Sequence, residues 1–178
     1  MKRSLGSVVA AGILATAAAG AAAQSPEQWI DWGQRVHGGF GVLIGVGIRI
    51  GQDALLHLEA SRRELDVTYF DTAAAPCPCI VDGILVAVSA SPGQKTLRVA
   101  SQPAGPGLYG EALIAHRRTG KRVRYCVLPE GIARLEAAQK QRDFRVRYDA
   151  VMALPAEALF FRSGDADRCA APEGSASR

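Results

Sequence analysis

The sequence predicts an α+β fold: a small mixed β-sheet with a β-hairpin, covered by glycine-rich buried helices. Three observations carry that prediction. From Phe40 to about Leu58 the run FGVLIGVGIRIGQDALLHL is apolar on most sides and has Gly41, Gly45 and Gly47 spaced through it. Glycine weakens a helix, so these residues predict a buried helix pressed closely against another backbone. Leu65–Phe70 (LDVTYF) alternates and is rich in β-formers, which predicts a strand. Glu111–Arg118 and Lys121–Leu128 alternate on one face around Thr119-Gly120, which predicts a hairpin.

The remaining elements follow in order. Ser25-Pro26-Glu27 has a Ser N-cap, a Pro at the first helical position and an acid in the first turn. Trp29, Ile30, Trp32 and Val36 continue it as a short amphipathic helix, which His37-Gly38-Gly39 breaks. Glu59 to Glu64 is a charged connection to the first strand. The prolines of Asp71–Pro78 keep that segment a loop. Cys79 to about Ala90 (CIVDGILVAVSA) reads as a second buried helix, Ser91-Pro92-Gly93 as a turn and Lys95–Ala100 as a strand. Gln102–Gly107 is a Gly/Pro-rich loop. Pro129-Glu130 opens a helix to about Arg142, a short helix covers Tyr148–Met152, and Leu154-Pro155-Ala156-Glu157 restarts one to Phe160. Residues 163–178 are polar and are expected to form a disordered tail.

The N-terminus has the three parts of a secretory signal over residues 1–23. Lys2 and Arg3 form the positive region, Leu5 to about Gly20 the uncharged core, and Ala21 and Ala23 the small-residue cleavage positions before Gln24. The core is alanine-rich and shorter than a bilayer span. The expected location is therefore the periplasm or the medium, with a soluble mature chain not embedded in the membrane. Two of the 21 basic residues lie in this leader, leaving 19 against 17 acids, a net of +2. That balance, with no basic block carrying aromatics, argues against nucleic acid. Arg117, Arg118, Lys121, Arg122 and Arg124 cluster around the hairpin turn and read as its solvated face. Residues 24–162 have the size of one domain.

Cys77, Cys79, Cys126 and Cys169 permit disulfides in an oxidising compartment, with three possible pairings. No paired CxxC array indicates a zinc finger. For Cys77-Pro78-Cys79 two readings stay open. A disulfide across so short a separation would be easily reduced. Alternatively Cys79 stays a thiolate, favoured by its place at a helix start. His57 reads as a surface residue, and His116 could face either way. No GxSxG, P-loop, Rossmann glycine pattern or HExxH occurs, and no nucleophile with a paired base is visible. Catalytic residues are therefore unassigned.

Several segments resemble the E-subunit family of formylmethanofuran dehydrogenase. HGGFGVLIGVGIR is similar to the family's opening motif at His37, Gly38, Gly47 and Arg49. CIVDGILVAVSASPGQKTLRV matches at Cys79, Val81, Asp82, Ile84, Gly93 and Leu97. The hairpin turn supplies Thr119, Gly120 and Lys121, and LPAEALF (Leu154–Phe160) closes the resemblance. Four departures thin the polar lining the family carries. Gly39 and Gly41 stand at its second histidine and its cysteine, Leu85 at its glutamine, and Val88-Ser89 at its Thr-Gly.

The resemblance implies the fold of that E-subunit family and a transition-metal site at His37 and Cys79. Asp82 joins these two as a ligand-binding residue. Imidazole with thiolate suits zinc or a similar metal. The expected function is an exported accessory domain that binds a small-molecule ligand or a metal and is not itself a formylmethanofuran dehydrogenase, with a homodimer among its allowed partners. Two rivals remain: a metal-dependent periplasmic enzyme using His37 and Cys79, and a thiol redox module using Cys77 and Cys79.

Overall fold

The computed structural model describes residues 24–73, 75–163 and 169. The predicted leader, residues 1–23, lies outside them, as does the tail beyond Ser163 apart from Cys169. The helices are α1 (Pro26–His37), α2 (Val42–His57), α3 (Cys79–Val88), α4 (Pro129–Ala133), α5 (Glu136–Gln139), α6 (Phe144–Ala153) and α7 (Ala156–Leu159). The strands are β1 (Leu65–Phe70), β2 (Leu97–Val99), β3 (Gly110–His116), β4 (Arg122–Val127) and β5 (Phe160–Ser163). They form one mixed sheet in the order β2-β1-β3-β4-β5, in which β1 and β2 are parallel and the other pairs antiparallel. The fold is α+β.

α1 begins where the sequence sets it. The Ser25 hydroxyl accepts from the Gln28 amide at 3.3 Å, and the Gln28 side chain accepts from the Ser25 amide at 2.8 Å. This reciprocal capping satisfies two helix-end donors. Gly38, at φ +86°, ends the helix by returning its N–H to the Gln34 carbonyl at 2.8 Å. A side chain at that φ would be strained, so the helix stops with His37 as its last residue.

α2 is the central buried helix, and it crosses α3 at two glycines. A Cβ on Gly47 would collide with the Ile80 carbonyl oxygen and lie 2.9 Å from the Gly83 Cα. A Cβ on Gly83 would collide with the Ile44 carbonyl oxygen. The two backbones touch there, with Ile44, Ile48, Ile80 and Ile84 buried around the crossing. Each such isoleucine contributes about 2 kcal/mol by burial, which offsets the helix cost of the glycines. Gly45 packs beneath Val151 of α6.

This helix layer covers one sheet face, built from Leu65, Val67, Tyr69, Ile114, Val123 and Tyr125. The Tyr125 hydroxyl donates to Asp53 of α2 at 2.6 Å, tying sheet to helix. Burial, followed by its bond to the Asp53 carboxylate, pushes the phenol well above its ordinary range. Among the described residues no single helix is long and apolar enough to cross a membrane.

Several expectations need correction. The helix predicted for Pro129–Arg142 is broken into α4 and α5. The chain tightens between them, with the Leu135 N–H reaching back only to Ile132 at 2.9 Å, so that Leu135 is buried. α6 is longer than Tyr148–Met152 because Asp143 caps it, accepting from the Arg145 amide at 2.7 Å. Phe160 ends no helix; it opens β5, which pairs with β4. The hairpin turn takes in Arg117 as well as Thr119-Gly120, and β3 stops at His116.

The solvated-face reading holds for Arg117, Arg118, Lys121 and Arg122 but fails for Arg124. Arg124 is buried in an ion pair with Glu111, which also accepts from the Gly105 amide at 3.2 Å. The tail expectation fails at two positions. Ser163 belongs to β5, and Cys169 is buried and joined to Cys126.

Candidate metal and thiol site

His37 and Cys79 reach the same place because α1 ends where α3 begins. The His37 Nδ1 lies 2.7 Å from a carboxylate oxygen of Asp82, in the first turn of α3. That bond fixes the ring and leaves Nε2 as the nitrogen open to a metal, the usual arrangement behind a ligating histidine. Asp82 is also favoured where it stands, because an acid near a helix N-terminus complements the helix dipole.

The sulfurs come from the Cys77-Pro78-Cys79 loop, which runs straight into α3. Ligand atoms of His37, Cys77 and Cys79 all lie within 4.8 Å of one another. One nitrogen and two sulfurs at that spacing fit a zinc-class ion, which takes such donors at roughly 2.0–2.3 Å. The two cysteines are joined to each other as a disulfide. A disulfide sulfur is no thiolate, so the donor set is complete only when the bond is reduced. Of the three pairings that the cysteine count allowed, the structure contains Cys77–Cys79 and Cys126–Cys169.

The group opens on a cavity of about 260 Å³ whose walls include Gly39, Phe40, Gly41, Gln139 and Arg147. Gln139 of α5 accepts from the Val42 amide at 2.9 Å, replacing the side-chain cap that Gly41 does not provide for α2. Arg147 of α6 donates to the Phe40 carbonyl at 2.8 Å and to the Gln141 carbonyl at 2.7 Å. A larger recess of about 550 Å³ adjoins, sharing Leu43, Pro76 and Gln139. Both glycines that stand at the family's histidine and cysteine positions thus line the cavity. A Cβ on Gly39 would meet nothing within 4 Å.

The structure therefore gathers His37, Cys79 and Asp82 with Cys77, which the sequence singled out as a disulfide or redox residue but not as a metal ligand, and adds Gln139 and Arg147, which it did not single out. Cys77 joins as a third donor, and its position two residues from Cys79 was the available signal. Gln139 and Arg147 carried no local signal, because each serves a segment about 100 residues away in sequence. His57 is exposed, as read, with its Nδ1 2.9 Å from Arg162. His116 faces inward, where its Nδ1 accepts from the Arg118 amide at 3.1 Å. Arg49 lies apart from the cavity and donates to the carbonyls of Val151 and Leu154, closing the C-terminal end of α6.

An α+β domain with a histidine beside a Cys-Pro-Cys pair at a helix junction is the class of protein these observations define. The family model described as FmdE, molybdenum formylmethanofuran dehydrogenase operon, matches residues 36–161. The chain belongs to that family. A search of curated proteins found no match.

Proposed function

We propose that this chain is an exported accessory domain of the FmdE family that binds a transition metal of the zinc class, with a small-molecule ligand in the adjoining cavity. The observation that carries this reading is the convergence of His37, Cys77 and Cys79 within 4.8 Å, with Asp82 orienting the histidine. His37 and the two thiolates would hold the ion, which would supply a Lewis-acid centre at the cavity floor. The space lined by Gly39 and Gly41 would leave that centre open to a ligand. Export is read from the leader-like residues 1–23, and a formylmethanofuran dehydrogenase reaction is not proposed, because glycine stands at the second histidine and the cysteine of the family's first motif, positions 39 and 41.

The test is elemental analysis of reduced protein purified after equilibration with zinc. About one equivalent per chain is expected for the wild type and a small fraction of that for His37→Ala. Equal metal in both would refute the site. An intact mass beginning at Gln24 for the exported form would support export, and a full-length mass in the membrane fraction would refute it. A second reading, a thiol redox module, is favoured by the Cys77–Cys79 bond itself.

A further inference from the structure

We infer that metal binding here is gated by thiol redox state: the Cys77–Cys79 disulfide is the closed form of the site, and its reduction opens it. The inference rests on the metal reading above and adds a control to it. The same two sulfurs are bonded to each other and form two of the three donors around the cavity. A sulfur lone pair cannot serve as a thiolate ligand while the S–S bond stands, so the disulfide and the metal are mutually exclusive occupants.

The chemistry balances with a dithiol as reductant. A donor thiolate attacks the sulfur of Cys77, a half-buried residue, whereas Cys79 is only 7% exposed. The S–S bond breaks and Cys79 leaves as a thiolate at the first residue of α3, where the helix end stabilises it. The donor's second thiol then resolves the mixed disulfide. Two electrons and two protons have passed to the protein, and the donor is now a disulfide. The two cysteine sulfurs and His37 would then hold a divalent metal, the remaining thiol protons being lost to solvent. Closing is the same exchange in reverse, with a disulfide as oxidant and the metal released.

The second cysteine pair cannot take this part. Cys126 and Cys169 are 0% and 2% exposed, with no histidine beside them among the described residues. Mild reductant should therefore open one bond and spare the other. Thermodynamic reciprocity adds a second signature. A metal that binds only the dithiol must raise the reduction potential of the pair, by about 30 mV for each tenfold excess of free metal over its dissociation constant.

The experiment titrates the mature chain with Co²⁺ under argon, once oxidised and once after mild reduction and removal of the reductant. The reduced form is expected to bind about one Co²⁺ with a sulfur-to-cobalt charge-transfer band. The oxidised form should bind at least about 100-fold more weakly and show no band, since it lacks two direct ligands and loss of outer-shell partners alone costs 10–100-fold. Thiol alkylation with mass mapping should label Cys77 and Cys79 in the reduced chain, and bound Co²⁺ should protect both. Cys77→Ser should bind weakly in either buffer and lose its response to reductant. Equal binding by both forms would overturn the gate while leaving a metal site in place. No binding by the reduced form would overturn the metal reading and the gate with it. Labelling of Cys126 or Cys169 under the same conditions would overturn the assignment of the reducible pair.

Discussion

The two faces of the sheet are held by different physics. The helix-covered face packs apolar side chains of the sheet under α2 and α3, which themselves meet backbone to backbone at Gly47 and Gly83. The opposite face has a small cluster of Leu108, Cys126 and Cys169, and beside it the buried Glu111–Arg124 pair. Each face also has one disulfide, and the two differ in kind. Cys126–Cys169 joins positions 43 apart and is buried, whereas Cys77–Cys79 spans two positions at the edge of a cavity. The lesson is that one chain places the same bond once deep in a buried cluster and once at the rim of a cavity.

The contrast makes its largest prediction at the buried bond. In the chain-entropy account, a crosslink closing a loop of this length stabilises by about 4 kcal/mol. Cys126→Ala with Cys169→Ala should therefore lower the unfolding free energy by about that much in a denaturant titration. A loss under 1 kcal/mol would mean the opposite face holds without its crosslink.

Next comes the ion pair on the same face. Glu111→Gln keeps the shape but removes the charge facing a buried guanidinium, and breaking such a pair costs about 3 kcal/mol. Denaturant midpoints of Glu111→Gln and of a Glu111→Gln, Arg124→Met double variant should show the single change to be the more damaging. A double variant no more stable than the single would place the cost in packing instead. On the helix face, Gly47→Leu should cost about 2–3 kcal/mol, because two helices must separate to admit the side chain. An unchanged midpoint would mean that the α2–α3 contact yields freely.

The helix face was the more legible of the two in the sequence. Glycines inside an apolar run announced a close crossing before any partner was known, and LDVTYF alternated over the full length of β1. The opposite face was written in longer-range terms. Arg124 looked like one more member of a solvated cluster, because its partner is set only when β3 and β4 pair. Glu111 then faces Cys126 and Leu113 faces Arg124, which makes Glu111 and Arg124 diagonal neighbours. β5 is four residues long and exists through its pairing with β4, so no local period could reveal it. The candidate site divides in the same way. His37, Cys79 and Asp82 were readable by resemblance and by their places at helix ends. Cys77 was readable as a redox or disulfide partner of Cys79 but not as a third donor beside His37, and Gln139 and Arg147 enter from helices far along the chain.

The smallest expected effect sharpens the comparison most. Opening Cys77–Cys79 releases a loop with a single residue inside it, so little denatured-state entropy is at stake, and its loss should shift unfolding by under about 1 kcal/mol. Cys77→Ser with Cys79→Ser should therefore melt almost with the wild type when both are measured without metal. Added Zn²⁺ should then separate them. Reduced wild type should gain about 2.7 kcal/mol at a free metal concentration 100 times its dissociation constant, while the double serine variant gains almost nothing. Thermal unfolding of both proteins without metal under non-reducing conditions tests the bond, and unfolding with and without Zn²⁺ after mild reduction tests the metal. If the double variant instead falls by several kcal/mol in the absence of metal, the Cys77–Cys79 bond is a staple like the other. The two disulfides would then differ in position and not in purpose.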